Sequence, residues 1–358
     1  MVHFGISQVR LSPASARCFS PVFRETSPMK AAYITATGPA ENITYGDLPT
    51  PTIGPQQVLV KVAAVAVNPI DTYLRNGANY WPLPMPFVIG CDLAGTVEAV
   101  GSDVKHLKIG NRVWGTNQGL LGRQGTFAEF AAVDENLLYP IPDNVSFDTA
   151  AACALVGITA HLGLIREAKL GAGETIFVNG GSGGVGTVVV QLAKAIGARV
   201  IATAGDPSKV DALLKLGCDV AVNYKTEDVA AAVKAFAPAG VNVYWETVRE
   251  PDFDKITSYL AERGRVILMA GRDARPAFPV GPFYVKGCSL HGFVMFKATP
   301  EEQQACAVDL NRWMSEGKLK AIISKVFPLS EAAAAHKLQE QNTLQKAGTL
   351  AGKIVLHP

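Results

Sequence analysis

The sequence lacks the features that mark several classes of protein. Its six cysteines are scattered over 358 residues without a C-x-x-C pair, which is typical of free thiols in a reducing compartment rather than of disulfides or a thiolate metal site. No apolar run reaches the roughly 18 residues that a membrane-spanning helix needs. The formal net charge of +2 gives no electrostatic reason for a nucleic-acid partner. We therefore expect a globular protein with neither a membrane span nor a nucleic-acid partner.

Two domains are the natural expectation for a chain of this length. A hydrophobic content of 48% with 18% charged residues is enough to build a sizeable core. None of the six histidines has a serine or cysteine partner at a recognisable motif spacing, so nucleophilic catalysis has no support.

Residues 1–28 differ in composition from the rest of the chain. Arg10, Arg17 and Arg24 lie among serines, with Glu25 as the only acid, and this composition resembles a mitochondrial transit peptide. The alternatives are a disordered tail, or a true start at Met29. We expect a cytoplasmic protein, or a mitochondrial one if residues 1–28 are a transit peptide. A chain that starts at Met29 should fold and function normally.

The hydrophobic pattern changes along the chain. Short strands with Gly and Pro punctuation predict a barrel-like β-domain over residues 29–150. Residues 151–297 alternate between helical and strand patterns, and six such strands imply an α/β fold with a doubly wound parallel sheet. Residues 298–358 return to helices and a last strand, which we expect to complete the first domain.

A glycine-rich segment is the most informative motif. The apolar run from Ile176 leads into Gly181-x-Gly183-x-x-Gly186, and a helical pattern begins at Thr187. The glycines of such a motif permit a tight turn, the approach of a pyrophosphate and close helix–strand packing. A Gly-rich surface loop is the alternative, but the flanking strands and helix favour a βαβ unit that binds a dinucleotide in a Rossmann fold.

Several motifs in order resemble the medium-chain dehydrogenases/reductases, and within them the quinone oxidoreductases of the zeta-crystallin type. The resemblance covers nearly everything from Met29 to Leu356. It is carried by Val67-Asn-Pro-Ile-Asp-Thr-Tyr-Leu-Arg75, Gly90-x-Asp-x-Ala-Gly95, Gly157-Ile-Thr-Ala160, Gly181-Ser-Gly-Gly-Val-Gly186, Asn223-Tyr224 and Gly352-Lys353. It implies a Rossmann NADP-binding domain (151–297) and a GroES-like β-barrel catalytic domain (29–150, completed by 298–358).

The same resemblance implies that no zinc is bound. The zinc-dependent alcohol dehydrogenases carry a Gly-His-Glu turn where this chain has Gly90-Cys-Asp92. Their four-cysteine structural lobe is also absent. A catalytic zinc needs three protein ligands, and we expect Cys91 and Cys153 to be buried structural cysteines instead.

The residues at the end of the second Rossmann strand indicate which cofactor is bound. An NAD-dependent enzyme usually places an acid there for the ribose 2′-OH, but this chain has Ala204. Family resemblance places Lys209 and Tyr224 near a 2′-phosphate, which predicts NADPH. For Lys209 the alternative is a solvated helix-face lysine. Asp206 argues against NADPH, because a carboxylate would repel the phosphate.

Other site residues are implied by the family. The loop carrying Asn68, Asp71, Tyr73 and Arg75 lines the nicotinamide and substrate cleft, with Asn68 suited to orient a carboxamide or carbonyl and Tyr73 to donate toward a developing oxyanion. Asp71 and Arg75 alternatively form an internal ion pair. Tyr80, beside Trp81, forms an aromatic wall or caps the core. The residues expected to bind the cofactor are Thr159, Gly181, Ser182, Gly183, Gly184, Val185, Gly186, Lys209, Tyr224, Ala270, Gly271 and Lys353.

The predicted function is NADPH-dependent transfer of hydride to a quinone or an α,β-unsaturated carbonyl. Enoyl-thioester reduction is an alternative, but it needs a basic entrance, and no Lys/Arg cluster adjoins the cleft motifs in the sequence. A non-catalytic structural or RNA-binding role is the second alternative. The expected last strand, 289–295, presents Leu290, Phe293 and Met295 at a sheet edge. It predicts a homodimer unless the 302–316 helix covers it.

Overall fold

A computed structural model describes residues 1, 27–78 and 81–358 of the chain. The predictions made for the N-terminal extension and for Tyr80 lie outside the described residues. The strands are β1 (Pro28–Ile34), β2 (Thr44–Pro49), β3 (Gln57–Val67), β4 (Phe87–Val88), β5 (Asp92–Val100), β6 (Arg112–Gly115), β7 (Phe130–Asp134), β8 (Leu138–Pro140), β9 (Thr175–Asn179), β10 (Arg199–Ala204), β11 (Val220–Asn223), β12 (Val241–Glu246), β13 (Leu260–Leu268), β14 (Ser289–Gly292), β15 (Ile323–Pro328) and β16 (Lys353–His357). The α-helices are α1 (Pro69–Arg75), α2 (Phe147–His161), α3 (Gly184–Ile196), α4 (Pro207–Lys215), α5 (Val229–Phe236), α6 (Phe253–Tyr259), α7 (Val280–Val285), α8 (Pro300–Ser315) and α9 (Ala332–Thr343).

The first half of the chain and its C-terminal strands build the β-barrel. One sheet has the order β15-β16-β3-β5-β6-β8, with β7 also pairing with β3, and a second sheet has the order β2-β1-β4. Gly90 has φ +100° between β4 and β5, where an added Cβ would lie 2.1 Å from the Phe127 ring. The predicted sharp glycine turn is thus confirmed, and it leads into the strand that begins at Asp92.

The six-stranded sheet is the predicted doubly wound one. Its order is β11-β10-β9-β12-β13-β14 and all its strand pairs are parallel. The strand order reverses at β9: β10 and β11 lie on one side of it, and β12 to β14 lie on the other. A fold of this kind binds its ligand in the crevice at the carboxyl ends of the strands where the order reverses.

Two features join the sheets. β16 pairs antiparallel with β3 in the barrel, while Gly352, just before it, bridges to Gly183 of the glycine-rich turn and donates its N–H to the Ser182 carbonyl at 3.2 Å. Helix α2 is buried between the sheets and packs on α3, β3 and β5. With the π-helical turn Leu162–Glu167 that follows it, α2 is long and apolar enough to cross a membrane, but it is mostly buried as a core helix.

The edge strand is shorter than predicted. β14 ends at Gly292, and Met295 is buried rather than exposed. Phe293 packs edge-on against Trp245, with ring centroids 6.4 Å apart. Leu290 alone of the three predicted edge residues is exposed, because the chain turns inward after β14.

Candidate active site

The glycine-rich turn forms a cradle at the start of α3. Gly180 has φ +78° and makes the sharp turn, although it directly precedes the G-x-G-x-x-G motif. A Cβ on Gly186 would lie 2.3 Å from the Gly180 carbonyl oxygen, so this glycine lets the helix pack on the turn. A Cβ on Gly183 would meet only the Gly180 oxygen, at 3.5 Å. Gly183 is also exposed, so the backbone N–H groups at the helix start are open to a phosphate.

The end of β10 carries an alanine, followed two residues later by an aspartate that caps α4. Ala204 is buried, and Asp206 is the N-cap of α4, where its carboxylate accepts from the Lys209 N–H at 3.0 Å and the Ser208 hydroxyl at 2.6 Å. These hydrogen bonds lower the pKa of Asp206. Asp206 thus caps α4 through one of its two carboxylate oxygens.

Lys209 and Tyr224 border the same turn. The Lys209 ammonium lies 3.4 Å from the Asp206 carboxylate and donates to the Gly348 carbonyl at 2.5 Å, so it is not the solvated helix-face lysine of the alternative. Tyr224 is exposed, and its hydroxyl lies 2.8 Å from where a Cβ on Gly205 would be. Both polar groups therefore lie next to the β10 turn.

A cavity of about 210 Å³ opens beside this turn, at the carboxyl ends of β9 to β12. Its lining includes Phe177, Asn179, Thr203, Tyr224, Tyr244 and Glu246. Burial raises the pKa of Glu246 to about 7, although the carboxylate accepts from the Asn179 amide at 3.0 and 3.1 Å and from the Val248 N–H at 2.7 Å. The cavity thus combines aromatic surface with an ordered polar network.

A buried polar cluster lies where β3, β5 and β16 meet. Asp92 accepts from the Asn68 amide at 2.8 Å, the Thr116 hydroxyl at 2.6 Å and the Leu155 N–H at 3.2 Å. The Lys353 ammonium donates to the Val67 carbonyl at 2.7 Å and to Asn68 Oδ1, and it lies 3.9 Å from Asp92. Burial raises the pKa of Asp92, and the ammonium of Lys353 opposes that shift.

This cluster bears on the predicted roles of Asn68 and Lys353. Both ends of the Asn68 amide are bound within the protein and the residue has 0% exposure, so it does not orient a carboxamide or a substrate carbonyl directly. Lys353 is 5% exposed and its ammonium is bound by Val67 and Asn68, but its aliphatic stem lies 3.2 Å from where a Cβ on Gly184 would be, so its contact with the cofactor stays a prediction. The pair fixes the start of α1 against β16.

Helix α1 replaces the predicted loop. Asn68 and Asp71 form a capping box, in which Asp71 accepts from the Asn68 N–H at 2.7 Å, and Pro69 occupies the first helical position. Burial raises the pKa of Asp71 to about 7, opposed by the Cys91 thiol beside it. Asp71 is 1% exposed, so the structure assigns it a capping role rather than the predicted catalytic one.

The expected ion pair between Asp71 and Arg75 is wrong. Arg75 is fully buried at the end of α1 and pairs with Glu340 of α9, which also accepts from the Asn76 amide at 2.6 Å. Because Arg75 faces α9 rather than the cleft, its predicted catalytic role is not supported.

Tyr73 of α1 is half-buried beside the loop that follows β12. The Arg249 guanidinium carbon lies 5.6 Å from the centre of its ring. Burial raises the pKa of Tyr73, while the charges of Arg249 and Arg272 act in the opposite direction. The hydroxyl is therefore a protonated donor at neutral pH.

The remaining predicted residues lie in several elements of both domains. Thr159 is buried in α2, and Ala270 with Gly271 follows the end of β13. Trp81 packs against the barrel core and meets the Phe296 ring at 5.8 Å. Cys91 and Cys153 are buried free thiols as predicted. Within the described ranges, no three His, Cys, Asp or Glu side chains converge in a way that could hold a metal ion.

Sequence reasoning missed the central position of Asp92 and its partners. A signal was present, because a carboxylate inside the apolar run Val88-Ile-Gly-Cys-Asp-Leu-Ala94 must be buried and therefore needs hydrogen-bond partners. The identity of those partners could not be predicted, since Lys353 is 285 residues from Asn68 in the chain.

Comparisons with known proteins agree with this geometry. Residues 54–143 match the alcohol dehydrogenase GroES-like domain, and residues 184–311 match the zinc-binding dehydrogenase family. The quinone oxidoreductase of Sus scrofa is 33% identical over 84% of this chain and 90% of its own length. The 2-methylene-furan-3-one reductase of Solanum lycopersicum is 33% identical over 97% of this chain and 84% of its own length.

A solved structure has the same architecture. The quinone oxidoreductase of Escherichia coli, complexed with NADPH, superposes with a TM-score of 0.78 at 25% identity, covering 92% of this chain and 99% of that one. The fold, the glycine-rich turn and the sequence identity lead to one conclusion. The chain belongs to the zinc-free quinone oxidoreductases of the medium-chain dehydrogenase/reductase superfamily, and it is an NAD(P)H-dependent oxidoreductase.

Proposed function

We propose that this enzyme uses NADPH in preference to NADH. The observation that carries this proposal is the turn after β10, where Asp206 is a helix cap and Lys209 and Tyr224 present a cation and a phenol. The turn at the exposed Gly183 would receive the pyrophosphate at the start of α3. The cavity lined by Phe177 and Tyr244 offers aromatic surface on which an adenine ring can pack. The solved relative complexed with NADPH is consistent with this choice.

The proposed reaction is reduction of a quinone or an α,β-unsaturated carbonyl. NADPH supplies the hydride when it is bound. The chain orients the acceptor and stabilises negative charge on its oxygen, for which the Tyr73 hydroxyl is the available donor. The buried Asn68–Asp92–Lys353 cluster holds α1, and therefore Tyr73, in place. The proton that completes the reduction comes from Tyr73 or from water.

A second acceptor class is favoured by one specific relative. The tomato protein is named as a reductase of a furanone that carries a methylene group, which is a conjugated enone. We therefore place enones beside quinones as candidate acceptors. The experiment is to follow NADPH and NADH oxidation with quinones, enones and enoyl thioesters under matched conditions. We expect turnover with quinones or enones and a lower KM for NADPH than for NADH. Turnover only with thioesters, or equal KM values for the two cofactors, would contradict the proposal.

We also propose a homodimer. β14 is an edge strand of the parallel sheet, and Leu290 on it and Val294 just after it are exposed. Helix α8, which would have covered this edge under the alternative, packs against α2 instead. Pairing of two such edges would satisfy their free backbone groups. The cytoplasmic or mitochondrial location stays a prediction, because residues 2–26 are not described.

A further inference from the structure

Two arginines lie at the mouth of the cleft, beside Tyr73. Arg249 follows β12 and stacks near the Tyr73 ring at 5.6 Å. Arg272 follows β13 and donates to the Ala78 carbonyl at 3.4 Å, in the segment after α1. Both side chains therefore span from the carboxyl edge of the parallel sheet to the barrel. Under the proposed function, this is the side from which an acceptor would approach Tyr73.

The backbone holds these two loops together. Gly271 has φ +83°, and a Cβ at this position would lie 2.5 Å from the Arg249 carbonyl oxygen. The loop after β13 therefore lies directly on the loop after β12. This close approach brings the Arg249 backbone next to Gly271, which directly precedes Arg272, and the charges of both arginines act on Tyr73.

The carboxylates near the two arginines balance their charge only in part. Asp273 pairs with Arg272 at 3.2 Å, and Glu250 pairs with Lys346 at 3.3 Å. In the part of the chain that the structure describes, Arg249 forms no ion pair with a carboxylate. Three cations, Arg249, Arg272 and Lys346, therefore face two carboxylates, which leaves one net positive charge.

We propose that Arg249 and Arg272 bind an anionic group, a carboxylate or a phosphate, on the electron acceptor. The guanidinium fork matches both anions and binds them through paired hydrogen bonds. This inference rests on the proposed reductase function and adds a substrate class to it. It also corrects the sequence-based expectation that the cleft has no basic entrance, because the two arginines are brought together only by the fold.

The test uses acceptors that differ only in charge. One pair is an enone carboxylic acid, with its carboxylate separated from the enone by a saturated spacer, and the methyl ester of that acid. The second pair is an enone phosphate monoester and its parent alcohol. For at least one pair, we expect the anionic member to have a KM about tenfold lower than the neutral one, and the ratio to fall with added salt.

Variants assign the effect to these residues. In Arg249→Gln and Arg272→Gln the KM ratio should move toward one, whereas Arg249→Lys should retain part of it. The matched control is Arg263→Gln, which removes the same charge from an exposed residue at the opposite end of β13. The control should leave the ratio unchanged.

The outcomes separate this inference from the function on which it rests. Turnover of the neutral ester tests the reductase activity by itself. A parent KM ratio of one for both pairs, or a ratio that is the same in the Arg249 and Arg272 variants, would overturn the inference. Direct titration of NADPH fluorescence supplies the third outcome. If the variants weaken NADPH binding about tenfold while the acceptor ratio is kept, the arginines bind the cofactor and the inference is wrong.

Discussion

Replacement of Lys353 by methionine tests whether the buried cluster is held together by charge. The ammonium is 3.9 Å from Asp92, and the two side chains are 6% and 0% exposed. Methionine fills a similar volume without the charge and leaves Asp92 as an uncompensated buried anion. Removing one partner of such a pair typically costs about 3–5 kcal/mol. We expect Lys353→Met to lower the free energy of unfolding by this amount at neutral pH.

The pH dependence of this variant has a definite sign. Burial already raises the pKa of Asp92, and loss of the Lys353 ammonium raises it further. A carboxyl group whose pKa is higher in the folded than in the unfolded protein favours folding at low pH, and that contribution is lost as the pH rises. The destabilisation of Lys353→Met should therefore be smaller at pH 5 than at pH 8, as measured by urea unfolding at each pH.

A double-mutant cycle completes the test. Asp92→Asn leaves the ammonium without its anion, while the double variant Lys353→Met/Asp92→Asn leaves no unpaired charge. We expect the double variant to be more stable than the sum of the single effects by about 2 kcal/mol. Lys61→Met, at an exposed position of β3, should change stability by less than about 0.5 kcal/mol. Additive single effects would refute the argument that Lys353 and Asp92 form one electrostatic unit.

Three further predictions concern the cofactor, the cavity and the assembly. Lys209→Met should weaken NADPH binding about ten- to hundredfold in a fluorescence titration while leaving NADH binding unchanged, because a charge-assisted contact is lost only with the 2′-phosphate. Lys215→Met, in the last turn of the same helix, is the control. Equal losses of affinity for both cofactors would contradict the assignment. Glu246→Gln should be more stable than the parent at pH 8 by up to about 3 kcal/mol but not at pH 4, because burial raises the pKa of Glu246 from 4.5 to about 7 and its ionisation then destabilises the fold. A difference in Tm between parent and variant that is the same at pH 4 and pH 8 would show the prediction to be wrong. Leu290→Asp should shift the mass in sedimentation toward the 37.9 kDa monomer, and a parent protein that is already monomeric would remove the basis for the dimer.

The parts of the fold that the sequence predicts are those carried by local patterns. The βαβ unit around Gly181 combines an apolar run, a glycine motif and a helical period within one segment, and β9, α3 and β10 are found there with shifts of only a few residues. β2 and α7 were not predicted, because Pro49 disfavours a strand and the Gly-Pro pair within Val280–Val285 disfavours a helix. Tertiary pairing supports these elements despite poor local propensity.

The candidate site was predicted less well than the fold. Helix α1 could have been foreseen, since Asn68 with Asp71 three residues later and a proline between them is the pattern of a capped helix start. The pairing of Arg75 with Glu340 and the contacts of Lys353 could not, because they join distant parts of the chain. Side-chain roles inferred from a motif therefore needed the fold to show which polar groups already had partners.

The most direct test of the central claim is transfer of deuterium from NADPH to the product. NADPH that carries deuterium at both C4 positions of the nicotinamide is incubated with the enzyme and an enone, and the reduced product is analysed by mass spectrometry and NMR. The account predicts one deuterium on the β-carbon for each NADPH oxidised, with the second hydrogen coming from solvent. The absence of NADPH oxidation with every quinone and enone, or a product whose new hydrogens both come from solvent, would contradict it.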